Sequence, residues 1–130
     1  MSQGELVFPT GRPAIDEGSL SEDERTVLRA LRWGRAGAVT IAGLEAVTGI
    51  GGRKVQEIVR TLREDHAVPI GTAMGRPFGN YLIDDPKELA EVFALFRARG
   101  LSNLKQAAAL RGQSLRRYLA EVQTELGDVA

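Results

Sequence analysis

The chain has 130 residues, with 17 basic side chains balanced by 17 acidic ones, no cysteine and one histidine. That length allows one compact domain with an appendage and excludes two full domains; the missing cysteines exclude disulfides and thiolate metal sites, and a lone His66 leaves no basis for a zinc site. No apolar run reaches membrane-spanning length, and the start MSQGELVFPTG lacks the basic residues and apolar core of a signal peptide, so a cytoplasmic protein with no membrane contact is expected.

Residues 1–20 hold Pro9, Pro13 and glycines at 4, 11 and 18, with no lasting period, and read as a flexible or extended arm. Ser21-Glu22-Asp23-Glu24 is a capping box: Ser21 can accept from the Glu24 amide while the Glu24 side chain reaches back to the Ser21 amide. The first helix is then expected to run to about Trp33, with Val27, Leu28 and Leu31 inward and Arg25, Arg29 and Arg32 outward. Trp33 is expected to pack that helix against the third helix or a C-terminal one. Ala38-Val39-Thr40 is long enough for one edge strand. Ile41, Leu44 and Val47 mark a short second helix stopped by Gly49.

The third helix is predicted to start at about Gly52 and end near His66. Val55, Ile58, Val59 and Leu62 form the stripe of a half-buried helix, which turns Arg53, Lys54, Gln56, Glu57 and Arg60 outward. Val68-Pro69-Ile70 and Tyr81-Leu82-Ile83 read as two strands joined by a glycine- and proline-rich tip over residues 71–80. Asp85-Pro86 opens a further helix, Asp as cap and Pro at its first position, with Leu89, Val92, Phe93 and Phe96 as its apolar stripe. Gly100 is expected to break or bend it, Ser102 to cap the next helix, and Gly112 to weaken that one.

Charge is unevenly placed along the chain. Residues 1–24 carry six acids against Arg12, residues 25–80 carry nine basic groups against four acids, and residues 81–130 carry seven of each. A net +5 in the middle beside a net −5 at the head suits nucleic-acid contact by the middle alone. Arginine outnumbers lysine 14 to 3, so codon composition is an alternative source of the bias.

The segment TGIGGRKV (48–55) poses the main choice between chemistries. A phosphate-binding P-loop needs G-x-x-x-x-G-K-[ST], a hydroxyl after the lysine and a strand before the loop. Here Val55 follows Lys54, and no long buried strand precedes the glycines. A DNA-reading helix needs only a sharp turn and a helix N-terminus near the duplex. Gly51 and Gly52 allow close backbone approach to a phosphate, Arg can pair with guanine, Gln with adenine, and Glu can accept from cytosine. For His66, between Asp65 and Ala67, a catalytic reading lacks a matched nucleophile. No catalytic residue, cofactor or metal is expected.

The order helix, short strand, helix, turn, helix, strand, wing, strand over residues 21–84 resembles a winged helix-turn-helix. The resemblance rests on Leu44-Glu45-Ala46-Val47-Thr48-Gly49-Ile50, on Arg53 to Arg63, on Val68-Pro69-Ile70 and on Gly79-Asn80-Tyr81-Leu82-Ile83. The chain is most similar to the biotin-repressor-like subtype and to small winged-helix proteins of phages and bacterial regulators. It departs from them at Gly51, where a capping Ser or Thr often stands, and near His66, where a glycine usually ends the helix; a positive φ at His66 would meet the same need.

The resemblance implies a mainly α fold with a small antiparallel β wing, followed by C-terminal helices over residues 85–130. It also implies binding of double-stranded DNA without catalysis, as a transcription regulator or a phage- or plasmid-type replication protein. The expected contacts are Gly51, Gly52, Arg53, Lys54, Gln56, Glu57 and Arg60 in the major groove, with Arg76 of the wing on the backbone or in a minor groove. Arg12, in Gly11-Arg12-Pro13, is a weaker candidate of the same kind.

The C-terminal stretch leaves two readings open. Leu101, Leu104, Ala108, Leu115, Tyr118 and Val122 approximate a heptad seam for a homo-oligomer, interrupted by Arg111, or else the last helix folds back on the one before. Arg111, Arg116 and Arg117 are a second basic patch. The alternative function is a winged-helix assembly subunit of a replication, packaging or chromosome complex, held by a protein partner or closed into a ring.

Overall fold

The computed structural model describes residues 14–73 and 75–127. It is mostly helical, with α1 (Glu22–Ala30), α2 (Ile41–Thr48), α3 (Gly52–Asp65), the two antiparallel strands β1 (Ile70–Ala73) and β2 (Gly79–Leu82), then α4 (Pro86–Leu110) and α5 (Leu115–Gly127). A mainly α fold with a small antiparallel β wing is what the resemblance implies, and the structure has it. The chain forms two compact units that meet at Val92/Phe93, within α4.

In the first unit the start signals act as the sequence implies. The Ser21 amide donates to Glu24 Oε1 at 2.9 Å and the Glu24 amide to Ser21 Oγ at 3.2 Å, which completes the capping box of α1. Thr40 caps α2, and Gly49 ends it in the left-handed conformation at φ 75°. Asp85 Oδ1 accepts from the Lys87 amide, with Pro86 as the first residue of α4.

The core forms where the inward stripes converge. Val27, Leu28 and Leu31 meet Leu44, Val55, Ile58, Val59 and Leu62, closed by Leu20, Val68, Ile70 and Leu82. Leu44, Val55 and Leu62 are fully buried. Truncating one such leucine to alanine costs about 2–5 kcal/mol, since the lost transfer energy is joined by an unfilled cavity. A second cluster places Ala73, Tyr81 and Ile83 against Leu89 and Val92. Those two contacts carry the compact unit into α4, beyond residue 84.

Several expected boundaries move. Helix α1 stops at Ala30, short of Trp33, because Leu31 turns extended (φ −78°, ψ 147°). The backbone beyond it is taken by the sheet: the Leu82 amide donates to Arg32 O and the Gly34 amide to Leu82 O, each at 2.8 Å. Trp33 is therefore outside the helix and packs on the main core cluster beside β2. Ala38-Val39-Thr40 is no full strand. Only Val39 pairs, exchanging two 2.8 Å bonds with Asn80, because Thr40 is already committed to capping α2. The outer edge of β2 is thus covered by two short backbone pieces.

The wing strands lie nearer the tip than predicted, at 70–73 and 79–82 in place of 68–70 and 81–83, with Ile70 opposite Leu82 and Ala73 opposite Gly79. Val68 is held by the end of α3, its amide donating to Leu62 O, and Pro69 has no amide to give to a ladder. The positive φ expected at His66 (φ −117°) sits one residue on, at Ala67 (φ 54°).

The predicted arm over 1–20 is not all irregular. Residues 1–13, which include Arg12, lie outside the described residues. From residue 14 on, Glu17–Ser19 form a 3-10 turn capped by Asp16, and Leu20 is buried in the core with Ile15 packed against it. Arg25 donates to Leu20 O at 2.6 Å and Arg29 pairs with Glu17 at 2.9 Å, so the end of the acidic head folds onto α1.

In the second unit α4 continues unbroken through Gly100 and Ser102, against the expected break. One glycine inside a long helix costs about 1 kcal/mol, too little to end it. The break falls at Gly112 (φ 67°): the Gln113 amide donates to Ala108 O and the Gly112 amide to Ala109 O, the paired bonds of a Schellman exit. Ser114 Oγ then accepts from the Arg117 amide at the start of α5. The expected seam is thereby split, Leu101, Leu104 and Ala108 on α4, Leu115, Tyr118 and Val122 on α5. Gln113 donates to Glu121 at 2.6 Å and ties the turn to α5. Among the described residues no helix is long and apolar enough to cross a membrane.

Candidate nucleic-acid interface

The glycine segment is a turn between two helices, without the preceding strand of a phosphate loop. Thr48 Oγ1 donates to Leu44 O at 2.7 Å and accepts from the Ile50 amide at 3.2 Å, which fixes the bend after Gly49. Ile50 packs on the core and anchors the turn. Gly51 follows at φ −59° and ψ 148°, and its side-chain direction is open space. Any residue fits there, so the fold itself does not demand a glycine in place of a capping hydroxyl. The first amides of α3 consequently have no side-chain cap.

Helix α3 buries Val55, Ile58, Val59 and Leu62 and exposes the opposite face. Arg53, Gln56, Glu57 and Arg60 are spaced i, i+3, i+4, i+7 and line one shallow surface depression. All four are exposed, and among the described residues none makes a side-chain hydrogen bond or ion pair. Two guanidiniums, one carboxylate and one amide thus share an exposed face, with Glu57 also within electrostatic reach of Lys54.

Lys54 does not join them. Its Nζ lies 2.8 Å from Asp23 Oδ2, across to the acidic first turn of α1. The hydrogen bond and charge of Asp23 raise the Lys54 pKa above the usual lysine value. Of the expected cluster, the structure unites Arg53, Gln56, Glu57 and Arg60 and separates Lys54. Gly51 and Gly52 stand at the helix mouth, where Glu45 Oε1 comes within 3.4 Å of the place a Cβ on Gly52 would take. A carboxylate there meets the positive end of α3.

Much of the basic charge of residues 25–80 is spent inside the fold. Arg25 and Arg29 hold the 3-10 turn, Lys54 holds Asp23, and Arg63 donates to Ile70 O at 3.1 Å. Burial lowers the Arg63 pKa from its ordinary value. Arg32, Arg35, Arg53, Arg60 and Arg76 stay exposed. His66 Nε2 lies 3.5 Å from Glu24 Oε1, so it links the end of α3 to the capping box of α1.

Arg76 stands at the exposed tip of the wing, apart from the α3 set. The wing base is fixed close to α3 through the start of α2: Gly79 abuts Val39 and Thr40, and Gly52 faces Ile41. Three side chains at this surface escaped the sequence reading. Arg35 reaches the wing, its Nη2 3.1 Å from the position of a Cβ on Gly75. Phe78 is exposed at the tip, and Glu45 stands at the mouth of α3. An apolar residue inside a polar turn was the available signal for Phe78; Arg35 gave none, because Gly75 is distant in sequence, and Glu45 gave none, because only the bend after Gly49 brings it back to Gly52. Among the described residues no group of three or more His, Asp or Glu is arranged to hold a metal ion. No family model, curated protein or solved structure matches the chain.

Proposed function

We propose that this chain binds double-stranded DNA as a winged helix-turn-helix protein of the biotin-repressor-like subtype, without catalysis. Helix α3 enters the major groove, and the wing lies along the adjacent backbone or minor groove. The supporting observation is the exposed face Arg53, Gln56, Glu57 and Arg60, unpaired within the described residues, on a helix whose other face is core and whose N-terminus follows a tight turn. Arginine and glutamine at such spacing recognise guanine and adenine edges, and the exposed guanidiniums neutralise phosphates. A role in transcription or in phage- or plasmid-type replication follows from that binding. Anisotropy titration of a duplex at two salt concentrations tests it: binding that weakens steeply with salt is expected, and no binding at low salt rejects the reading.

A second reading, an assembly subunit of a replication, packaging or chromosome complex, draws support from the second unit. There Phe93, Leu101, Leu110 and Leu126 are exposed. The same residues support homo-oligomerisation through the C-terminal helices. Light scattering distinguishes the cases, and a monomer at micromolar concentration rejects the oligomer.

A further inference from the structure

The wing tip carries an exposed aromatic residue, Phe78, two positions after its exposed arginine, Arg76. Phe78 is 52 % exposed, whereas Tyr81, the other aromatic residue of the hairpin, is buried. The segment Gly71 to Asn80 contains Arg76 and no acidic residue. A second cation, Arg35, reaches in at Gly75. The tip therefore offers an exposed aromatic ring two residues from Arg76 on a hairpin that a second guanidinium reaches, a combination complementary to a polyanion with stackable bases.

The tip is also firmly based. Gly79 takes φ 126° with its backbone against Val39, and Gly71 is pressed on the Tyr81 ring, where a Cβ would come within 2.9 Å. Asn80 exchanges two backbone bonds with Val39, and its Oδ1 accepts from Thr72 Oγ1 at 3.1 Å. A ring held on such a base can transmit force to what it touches. A duplex minor groove attracts arginine through its negative potential, and apolar wedges inserted between base steps there kink the helix.

We propose that Phe78 is a minor-groove wedge: with Arg76 in the groove beside it, the ring enters a base step and bends the DNA. The proposal rests on the DNA reading above. The test uses the full chain and short end-labelled duplexes of mixed sequence rich in TA steps, which unstack most readily. Energy transfer between the ends reports bending, and anisotropy reports binding at the same low salt.

The wild type is expected to raise end-to-end transfer at saturation. Phe78→Ala is expected to bind and leave the duplex straight, and Phe78→Leu, still a wedge residue, to keep the bend. Wild-type binding with a straight duplex overturns the wedge and leaves the DNA reading standing, as does an unchanged bend in Phe78→Ala. No binding by the wild type overturns both. If Phe78→Ala loses binding altogether, recovery of binding and bend in Phe78→Leu supports the wedge, and failure of Phe78→Leu to recover them overturns it.

Discussion

Gly79 lies directly against the backbone of Val39. A Cβ on Gly79 would stand 2.3 Å from the Val39 carbonyl carbon and 2.4 Å from its oxygen, and the φ of 126° is itself one that other residues rarely adopt. Val39 cannot yield, because its amide and carbonyl are both bonded to Asn80 and the next residue caps α2. This contact joins the wing to the lead-in of the helix pair.

Gly79→Ala is therefore expected to lower stability by at least about 2 kcal/mol, combining backbone strain with a clash against backbone. Denaturant unfolding measures the change. A midpoint equal to the wild type would show that the wing base can shift at little cost.

Ala67 offers the opposite case. It takes φ 54° at the exit of α3, the place where such helices commonly carry glycine, and it is exposed. Ala67→Gly removes the left-handed penalty of roughly 1–2 kcal/mol and loses part of the gain to greater freedom of the unfolded chain. The expected result is a net gain of about 0.5–1 kcal/mol by thermal or urea unfolding. A loss would mean that the exit relaxes when unconstrained.

These two positions show what was legible in the chain. The inward stripe of α3, the capping box at Ser21, the glycine stop at Gly49 and the Asp85-Pro86 start depend on spacings of four residues or fewer, and sequence displays such spacings directly. The ends of α1 and of the wing strands depend on Arg32 and Gly34 bonding to Leu82, partners some fifty residues away in the chain. Local propensity carries no trace of that competition. The same limit applied to the outer face of α3: period placed Lys54 with Arg53, but only the fold brings Asp23 to it.

That ion pair divides the basic residues of α3 by role. Arg53→Ala and Arg60→Ala together are expected to weaken DNA binding severely and to reduce the slope of log affinity against log salt by about 2, one counterion per lost phosphate contact. Lys54→Ala is expected to leave that slope unchanged and to leave the unfolding midpoint close to that of the wild type, because the pair with Asp23 is exposed and screened by solvent. Equal slopes for the Arg53/Arg60 double variant and the wild type would reject α3 as the contact helix.

Glu45 stands at the uncapped start of α3, where a DNA phosphate would meet the free amides of Gly52 and Arg53. Its carboxylate opposes an incoming phosphate. Glu45→Gln is expected to raise affinity for duplex by about threefold to tenfold at low salt, with the gain shrinking as salt screens the repulsion. Titration of both proteins at two salt concentrations checks it, together with amide exchange at Gly52 to Lys54. Weaker binding by the variant would mean that Glu45 organises the site.

Glu88, below the wing, gives a pH dependence of defined sign. One of its carboxylate oxygens is buried without a hydrogen-bond partner among the described residues. Burial raises its pKa above the ordinary glutamate value, the charges of Asp85 and Asp84 push it the same way, Arg35 partly opposes them, and Glu91 adds a smaller push. The folded chain thus holds this proton more tightly than the unfolded chain does. Its contribution to stability is greatest below the unfolded-state pKa of about 4.3 and falls as pH rises from there through the raised folded value. Glu88→Gln keeps the shape and removes the charge, so it is expected to raise the melting temperature at neutral pH and to give no gain near pH 4. Melting curves of the two proteins across that range decide the matter, and parallel curves would mean that the Glu88 carboxylate turns out to solvent and escapes the penalty.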